Sequence, residues 1–139
     1  MAIKISDLSV GDWVRCGDEN KQIKCIDYQN NNYFVYFSDP DTNDNDYAHI
    51  FDIDPIRITA EILEKNGLYR REIDEDNPQI AVLSDYFMMA RTYDDIEWWR
   101  VLIYDEEIPS KELFNGIVYS VHQLQHAFRL AEVDKEINL

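Results

Sequence analysis

The chain contains few basic residues: 13 Lys and Arg stand against 28 Asp and Glu, which gives a formal net charge of −15 over 139 residues. The imbalance runs along the whole sequence, with 11 acidic and 5 basic residues up to residue 58 and 17 acidic and 8 basic residues after it. Direct binding to nucleic acid needs a concentrated basic surface that displaces counterions from phosphates. The sequence has no such stretch, so we predict no direct contact with nucleic acid.

Glycine, cysteine and long apolar runs are also scarce. The four glycines form no phosphate-binding loop. The two cysteines, Cys16 and Cys25, fit a pair of buried thiols in a reducing compartment better than a disulfide. No stretch approaches the roughly 18 apolar residues of a membrane span, and the first residues lack the basic and apolar segments of a secretion signal. We therefore expect a cytoplasmic protein with no membrane contact and no cofactor.

The hydrophobic fraction of 45% is sufficient for a folded core. Within residues 1–58, short apolar stretches alternate with turn signals, which is typical of antiparallel strands. We predict that they form an SH3-like small β-barrel, because closure removes exposed strand edges. The predicted strands cover residues 13–16, 22–28, 33–37 and 49–53.

Residues 59–139 predict a second, α+β domain. A short helix is expected from Ala60, capped by Thr59, and an antiparallel meander follows over residues 68–73, 79–83, 86–92 and 97–104. A second helix is predicted from about Ile117 to Ala131, because apolar residues recur there on one face at 3.6 residues per turn. That face should pack on the sheet. Residues 132–139 are expected to be loosely held.

Val121-His122-Gln123-Leu124-Gln125 in this helix resembles the signature of a large group of short, uncharacterised proteins from Bacteroidetes and their phages. The segments 8–14 and 54–59, and the helix that ends at Asn66-Gly67, are similar to segments of those proteins in order and spacing. The chain departs from the group at His126, where Asn is frequent, and after the helix, where a Thr-Gly pair is common. The resemblance implies a shared fold and brings no activity with it.

His122 and His126 lie four residues apart in the predicted helix, so the two imidazoles can ligate one metal ion. The segment differs from the H-E-x-x-H helix of zinc proteases by Gln123, which cannot serve as the general base. Helical geometry directs the pair away from the apolar face, and we predict a solvated polar surface there. A metal-dependent enzyme that uses His122 and His126 remains an alternative.

Acidic clusters elsewhere predict turns and no chemistry. The loop over residues 39–46 has oxygen donors at calcium-site spacing, but Asp44 stands where the turn glycine is needed and Ile50 where the bidentate Glu is needed. Other carboxylate pairs fall in predicted turns, where water solvates both groups. We predict no catalytic residues and no metal site.

Aromatic residues give the remaining functional signal. Trp98 and Trp99 are adjacent in a predicted strand, so their side chains point to opposite faces, and one of them is a candidate interface anchor. The exposed side of residues 33–37 extends that possibility. The predicted partner-binding residues are Trp98, Trp99, Tyr93, His122 and Gln125.

These observations favour a non-enzymatic protein-interaction module. Its acidic surface and an aromatic patch would bind another protein, a basic one for example, or a second copy of the chain. One alternative is a nucleic-acid mimic that occupies the basic groove of a host protein. Another is an accessory component of a phage or mobile element, in keeping with the resemblance.

Overall fold

The computed structural model describes residues 3–39, 41, 46–70, 79–84, 86–91 and 98–139. The chain divides into two compact units, Met1–Ile56 and Arg57–Leu139. The fold is mixed α+β, with three small antiparallel sheets and a C-terminal helix, which confirms the predicted class. No helix in the described ranges is long and apolar enough to cross a membrane.

The described residues of the first unit form six short strands and two 3-10 helices, at Ile5–Asp7 and Ile50–Asp52. The strands are β1 Trp13–Cys16, β2 Glu19–Gln22, β3 Cys25–Gln29, β4 Asn32–Tyr36, β5 Tyr47–His49 and β6 Ile53–Asp54. They form two antiparallel sheets, with the strand orders β2-β1-β6 and β3-β4-β5. Neither sheet closes on itself within the described residues, so the predicted SH3-like barrel is not confirmed.

The single strand predicted over residues 22–28 is divided in two, because the chain passes from one sheet to the other at Ile23. Ile23 N donates a hydrogen bond to the carbonyl oxygen of Asp12 beside β1, at 2.9 Å. The next residue, Lys24, donates its N–H to the carbonyl oxygen of Tyr36 in β4, at 2.7 Å. Alternating apolar residues predict extended backbone but do not specify its partners, so the sequence pattern could not show this change of sheet.

Tight turns set the registers of the two hairpins. Gly17, between β1 and β2, adopts φ +61°, a left-handed conformation that glycine accepts without strain. Asn30 and Asn31, between β3 and β4, adopt φ of 51° and 64°. Two consecutive left-handed residues are characteristic of a type I′ turn, whose twist matches that of the flanking strands.

Val14, Ile23 and Val35 are fully buried in the core of the first unit. Asp12 is fully buried as well, and its carboxylate accepts a hydrogen bond from Ser9 N at 2.9 Å. The carboxylate therefore supports the turn before β1 from inside the unit, since a buried polar group needs such a partner.

The second unit combines a five-stranded antiparallel sheet with two helices. Its elements are α1 Ala60–Lys65, β7 Tyr69–Arg70, β8 Gln79–Ser84, β9 Phe87–Arg91, β10 Trp99–Tyr104, β11 Glu112–Val118 and α2 Val121–Leu130. The strand order is β11-β10-β9-β8-β7, so each strand pairs with its neighbours in the sequence, as expected for a meander.

Helix α1 has the predicted start and end. The hydroxyl of Thr59 accepts the N–H of Ile62 at 3.2 Å, which satisfies one of the unpaired donors of the first turn. Gly67 ends the helix at φ +71°. Its N–H donates to the carbonyl oxygen of Glu64, and the N–H of Leu68 donates to the carbonyl oxygen of Leu63. These two bonds form a Schellman motif.

Helix α2 begins four residues later than predicted. Ile117 belongs to β11, where it pairs with Arg100 of β10, and its side chain is 48% exposed. Cross-strand pairing therefore determines the conformation of a residue that fits the helical periodicity. The helix itself starts after Ser120, where Gln123 Oε1 accepts the N–H of Tyr119 at 2.7 Å.

Helix α2 packs on the sheet as predicted, with the ring centroids of Phe87 and Phe128 5.2 Å apart. On β10, Trp99, Val101 and Ile103 alternate into the same core. The expectation of a loosely held tail is wrong, because Ile137 is buried, with 3% of its surface exposed.

Candidate protein-interaction surface

Of the two tryptophans proposed as candidate anchors, Trp99 is the first residue of β10 and Trp98 precedes the strand. Trp99 is fully buried, and the guanidinium carbon of Arg91 lies 4.4 Å from the centroid of its ring. Its side chain is therefore part of the core of the second unit and presents no surface to a partner. Trp98 is half-buried, and Tyr93 lies outside the described residues.

His122 is buried, with 4% of its surface exposed, so the prediction of a solvated polar face is wrong for this residue. Its Nδ1 shares a hydrogen bond of 3.0 Å with the hydroxyl of Ser120, which precedes the helix. This hydrogen bond gives the buried imidazole a polar partner and so lowers the energetic cost of its burial. Gln125 and His126 are half-buried on the same helix.

The His122 and His126 rings form an edge-on pair with centroids 5.9 Å apart. Across the described part of the chain, no three His, Cys, Asp or Glu side chains are grouped so that they could hold a metal ion. Cys16 and Cys25 are free thiols, and both are half-buried where the sequence predicted full burial.

A continuous group of aromatic rings lies instead on the first unit, on the outer face of the sheet β3-β4-β5. Val35 and Ala48 point from this sheet into the core, so their sequence neighbours point outward. We call this surface the aromatic face; its residues are Phe34, Tyr36, Tyr47, His49 and Phe51.

The rings of the aromatic face contact one another in an unbroken series. Phe34 lies opposite His49 in the register of β4 and β5, and Tyr36 lies opposite Tyr47. The ring centroids are 5.4 Å apart for Tyr36 and Tyr47, 6.0 Å for Phe34 and Tyr47, and 5.3 Å for Phe34 and His49. Phe51 stacks on His49 at 4.8 Å. Tyr47 is 53% exposed and Phe51, at one end of the series, is 83% exposed, so both rings are accessible from the solvent.

His49 holds Phe51 in place. The Nδ1 atom of His49 accepts the backbone N–H of Phe51 at 3.2 Å, which caps the 3-10 helix Ile50–Asp52. Because Nδ1 is the acceptor, we assign the ring proton to Nε2, which then donates to Asn32 Oδ1 at 3.1 Å. Both ring nitrogens are therefore engaged, and the most exposed ring of the face is attached to an oriented imidazole.

Three carboxylates neighbour the aromatic face, one in the strand register and two in the sequence. Asp27 lies opposite Phe34 in the register of β3 and β4, Asp46 precedes Tyr47, and Asp52 follows Phe51. Lys21 pairs with Asp46, with Nζ to oxygen distances of 2.8 and 2.9 Å, and this bond raises the pKa of the Lys21 ammonium. The unit Met1–Ile56 contains 11 acidic and 4 basic residues, so the field around the face is negative.

Comparison with protein-family models, with curated proteins and with solved structures finds no significant match for this chain. The resemblance to the Bacteroidetes and phage proteins stays a prediction.

The sequence predicted one strand of the aromatic face, the exposed side of residues 33–37. It did not indicate Tyr47, His49 and Phe51. A signal was present, since Tyr47 and His49 are two residues apart and therefore share one side of a strand. Phe51 could not be placed from the sequence, because residues 49–53 were predicted as strand and a 3-10 helix turns its ring onto His49.

Proposed function

We propose that this protein is a non-enzymatic protein-interaction module whose aromatic face binds a basic segment of another protein. The observation that carries the proposal is the unbroken series of ring contacts on an exposed sheet face, ending in Phe51. Contiguous exposed apolar patches mark interaction sites, whereas single exposed rings are normal. Trp98, Tyr93 and Gln125 of the second unit stay predictions as partner-binding residues.

The chemistry of the face favours a cationic partner. Aromatic rings attract Arg and Lys side chains to their faces, and the Asp27 carboxylate, which is paired with Phe34 across the strands, adds charge complementarity. A formal net charge of −15 on the whole chain attracts basic partners over longer distances and repels acidic ones. An Arg-rich segment combines these requirements, because guanidinium groups both stack on rings and bind carboxylates.

The SH3-like organisation of the first unit, which the sequence predicted, stays part of this proposal. Strand β6 returns to pair with β1, so the ends of the unit lie side by side. The aromatic face is the outer surface of the other sheet of this unit, β3-β4-β5.

The experiment uses a nine-residue peptide of alternating Arg and Leu, titrated into the full chain by calorimetry and by backbone NMR. We expect amide shifts at residues 34–36 and 47–51, and binding that weakens as salt is added. Phe51→Ala should lower the affinity at least ~10-fold, a typical loss for an exposed aromatic anchor.

Tyr28→Ala is the matched control. Tyr28 is 55% exposed and lies in the same sheet, but it shares the side of Ile26, opposite the aromatic face. Its removal should change the affinity less than about twofold. Equal losses for the two variants, or shifts confined to the second unit, would refute the proposal. So would a dimer that Phe51→Ala dissociates, because the face would then bind a second copy.

A further inference from the structure

The second unit contains a pocket of about 430 Å³ that the proposed interaction does not use. It lies where β9 begins, β10 ends and the segment after α2 passes over the sheet. Phe87, Ile103 and Ala131 line it, and all three are buried, so its deep side is apolar. The volume falls within the range of roughly 300–1,000 Å³ that small-molecule sites occupy.

Carboxylates line the opening of this pocket. Asp105 and Glu106 follow β10, and Glu132 and Asp134 follow α2. Among the described residues that line the pocket, none is Lys, Arg or His. Lys111, whose charge also acts on Asp105, is not a lining residue.

Asp105 is fixed in its position as an acceptor. Its Oδ1 accepts the backbone N–H groups of Glu107 at 2.8 Å and of Ile108 at 3.0 Å. The bonds from Ile108 and Glu107 favour the charged form and lower the pKa of this carboxyl group below its ordinary value. The pocket therefore has a charged group of fixed orientation at its opening.

We infer that this pocket binds a small organic cation, an ammonium group attached to an aryl or alkyl body. The body would contact Phe87, Ile103 and Ala131, where burial removes its apolar surface from water. The ammonium would lie among the carboxylates at the opening, close to the rings of Tyr86 and Tyr104. The same carboxylates repel nucleotides and other anions.

The test compares three probes of similar shape on the full chain: phenethylamine, phenethyl alcohol and 3-phenylpropionate. We expect the amine to bind about tenfold more tightly than the alcohol, because a charged donor strengthens its bonds to carboxylates, and the acid to bind least. Amide shifts should be confined to the residues that line the pocket, at 86–87, 103–106, 113 and 131–134. Equal binding of the amine and the alcohol, or shifts elsewhere, would refute the inference.

Two variants test the carboxylates. The double variant Glu132→Gln and Asp134→Asn should lower amine affinity about fivefold or more and leave alcohol binding unchanged. Glu136→Gln is the matched control, because Glu136 is an exposed carboxylate of the same segment that does not line the pocket. Equal losses from the two changes would overturn the inference. Tighter binding of a capped Phe-Arg peptide than of phenethylamine would do the same, because the site would then belong to a protein partner.

Discussion

Asn66 and Asn138 exchange two hydrogen bonds across 72 residues of sequence. Asn66 Nδ2 donates to the carbonyl oxygen of Asn138 at 2.9 Å, and the backbone N–H of Asn138 donates to Asn66 Oδ1 at 2.8 Å. The same Nδ2 also donates to the carbonyl oxygen of Ile62 at 2.8 Å. One side chain therefore joins the end of α1 to the last residues of the chain, next to the buried Ile137.

Asn66→Ala should lower the free energy of unfolding by about 2–3 kcal/mol, because it removes the three hydrogen bonds that the buried Asn66 side chain makes. Chemical denaturation measures this change. Asn138→Ala is the matched control, since Asn138 uses only its backbone in this exchange. We expect the control to change stability by less than about 0.5 kcal/mol. Equal losses from both variants would contradict the assigned hydrogen bonds.

Glu132 occupies a position that favours glycine. It follows α2 at φ 55°. Its N–H donates to the carbonyl oxygen of Arg129, and the N–H of Val133 donates to the carbonyl oxygen of Phe128. This is the Schellman motif that Gly67 forms after α1. Glu132→Gly should therefore raise the thermal midpoint and stabilise the protein by about 0.5–1 kcal/mol.

Two further variants separate backbone strain from loss of charge. Glu132→Ala removes the carboxylate but keeps a Cβ atom, so we expect no gain in stability. Gly67→Ala should lower the stability by about 1 kcal/mol, because a residue with a Cβ is strained at φ +71°. Steric contact adds nothing to this cost, since a Cβ at Gly67 would meet no atom within 4 Å. A gain for Glu132→Ala equal to that for Glu132→Gly would assign the effect to charge.

The Lys21 and Asp46 pair predicts a contribution to stability that is lost at alkaline pH. The hydrogen bond to Asp46 raises the pKa of Lys21 above its ordinary value of 10.5. A raised pKa means that the pair contributes its full stability below pH 10.5, and that this contribution disappears as pH rises through the folded-state value. Lys21→Met should thus cost up to about 1 kcal/mol near neutral pH and progressively less above pH 10.5.

Urea unfolding of the Lys21→Met variant between about pH 7 and pH 11 measures this difference. Lys24→Met is the control, because the Lys24 ammonium contacts the amide oxygen of Gln22 at 3.5 Å and so gains no paired carboxylate there. Its effect on stability should be small. A Lys21 effect that persists unchanged to the alkaline end would show that the ion pair is not its source.

The Ser120 and His122 bond predicts the effect of a small substitution. Ser120→Ala removes the hydroxyl that lies 3.0 Å from His122 Nδ1 inside the second unit, so unfolding should become easier by about 1–2 kcal/mol. Ser120→Thr keeps the hydroxyl and should retain most of the stability. Thermal unfolding of the two variants measures the difference. Identical midpoints would show that the bond contributes nothing to stability.

Several local features follow from sequence alone. Thr59 caps α1 and Asn66-Gly67 ends it, because capping and left-handed termination need only the adjacent backbone. The meander of the second unit was predictable for the same reason, since hairpin partners are close in sequence. The start of α2 was not, because Ile117 fits the helical face and only its pairing with Arg100 keeps it in a strand.

The candidate surfaces depend still more on contacts that are distant in sequence. The adjacent Trp98 and Trp99 predicted that one of the two is an interface anchor. Packing in the second unit buries Trp99 completely. The aromatic face forms because β4 and β5 pair in one register and a 3-10 helix brings Phe51 onto His49.

The sequence by itself determined the acidic charge, the α+β class and the local caps, because these depend on composition and on residues a few positions apart. Tertiary structure alone decided which rings and carboxylates share a surface, since that depends on strand register. It also decided that Asn66 bonds to Asn138, because no short-range pattern specifies a partner 72 residues away.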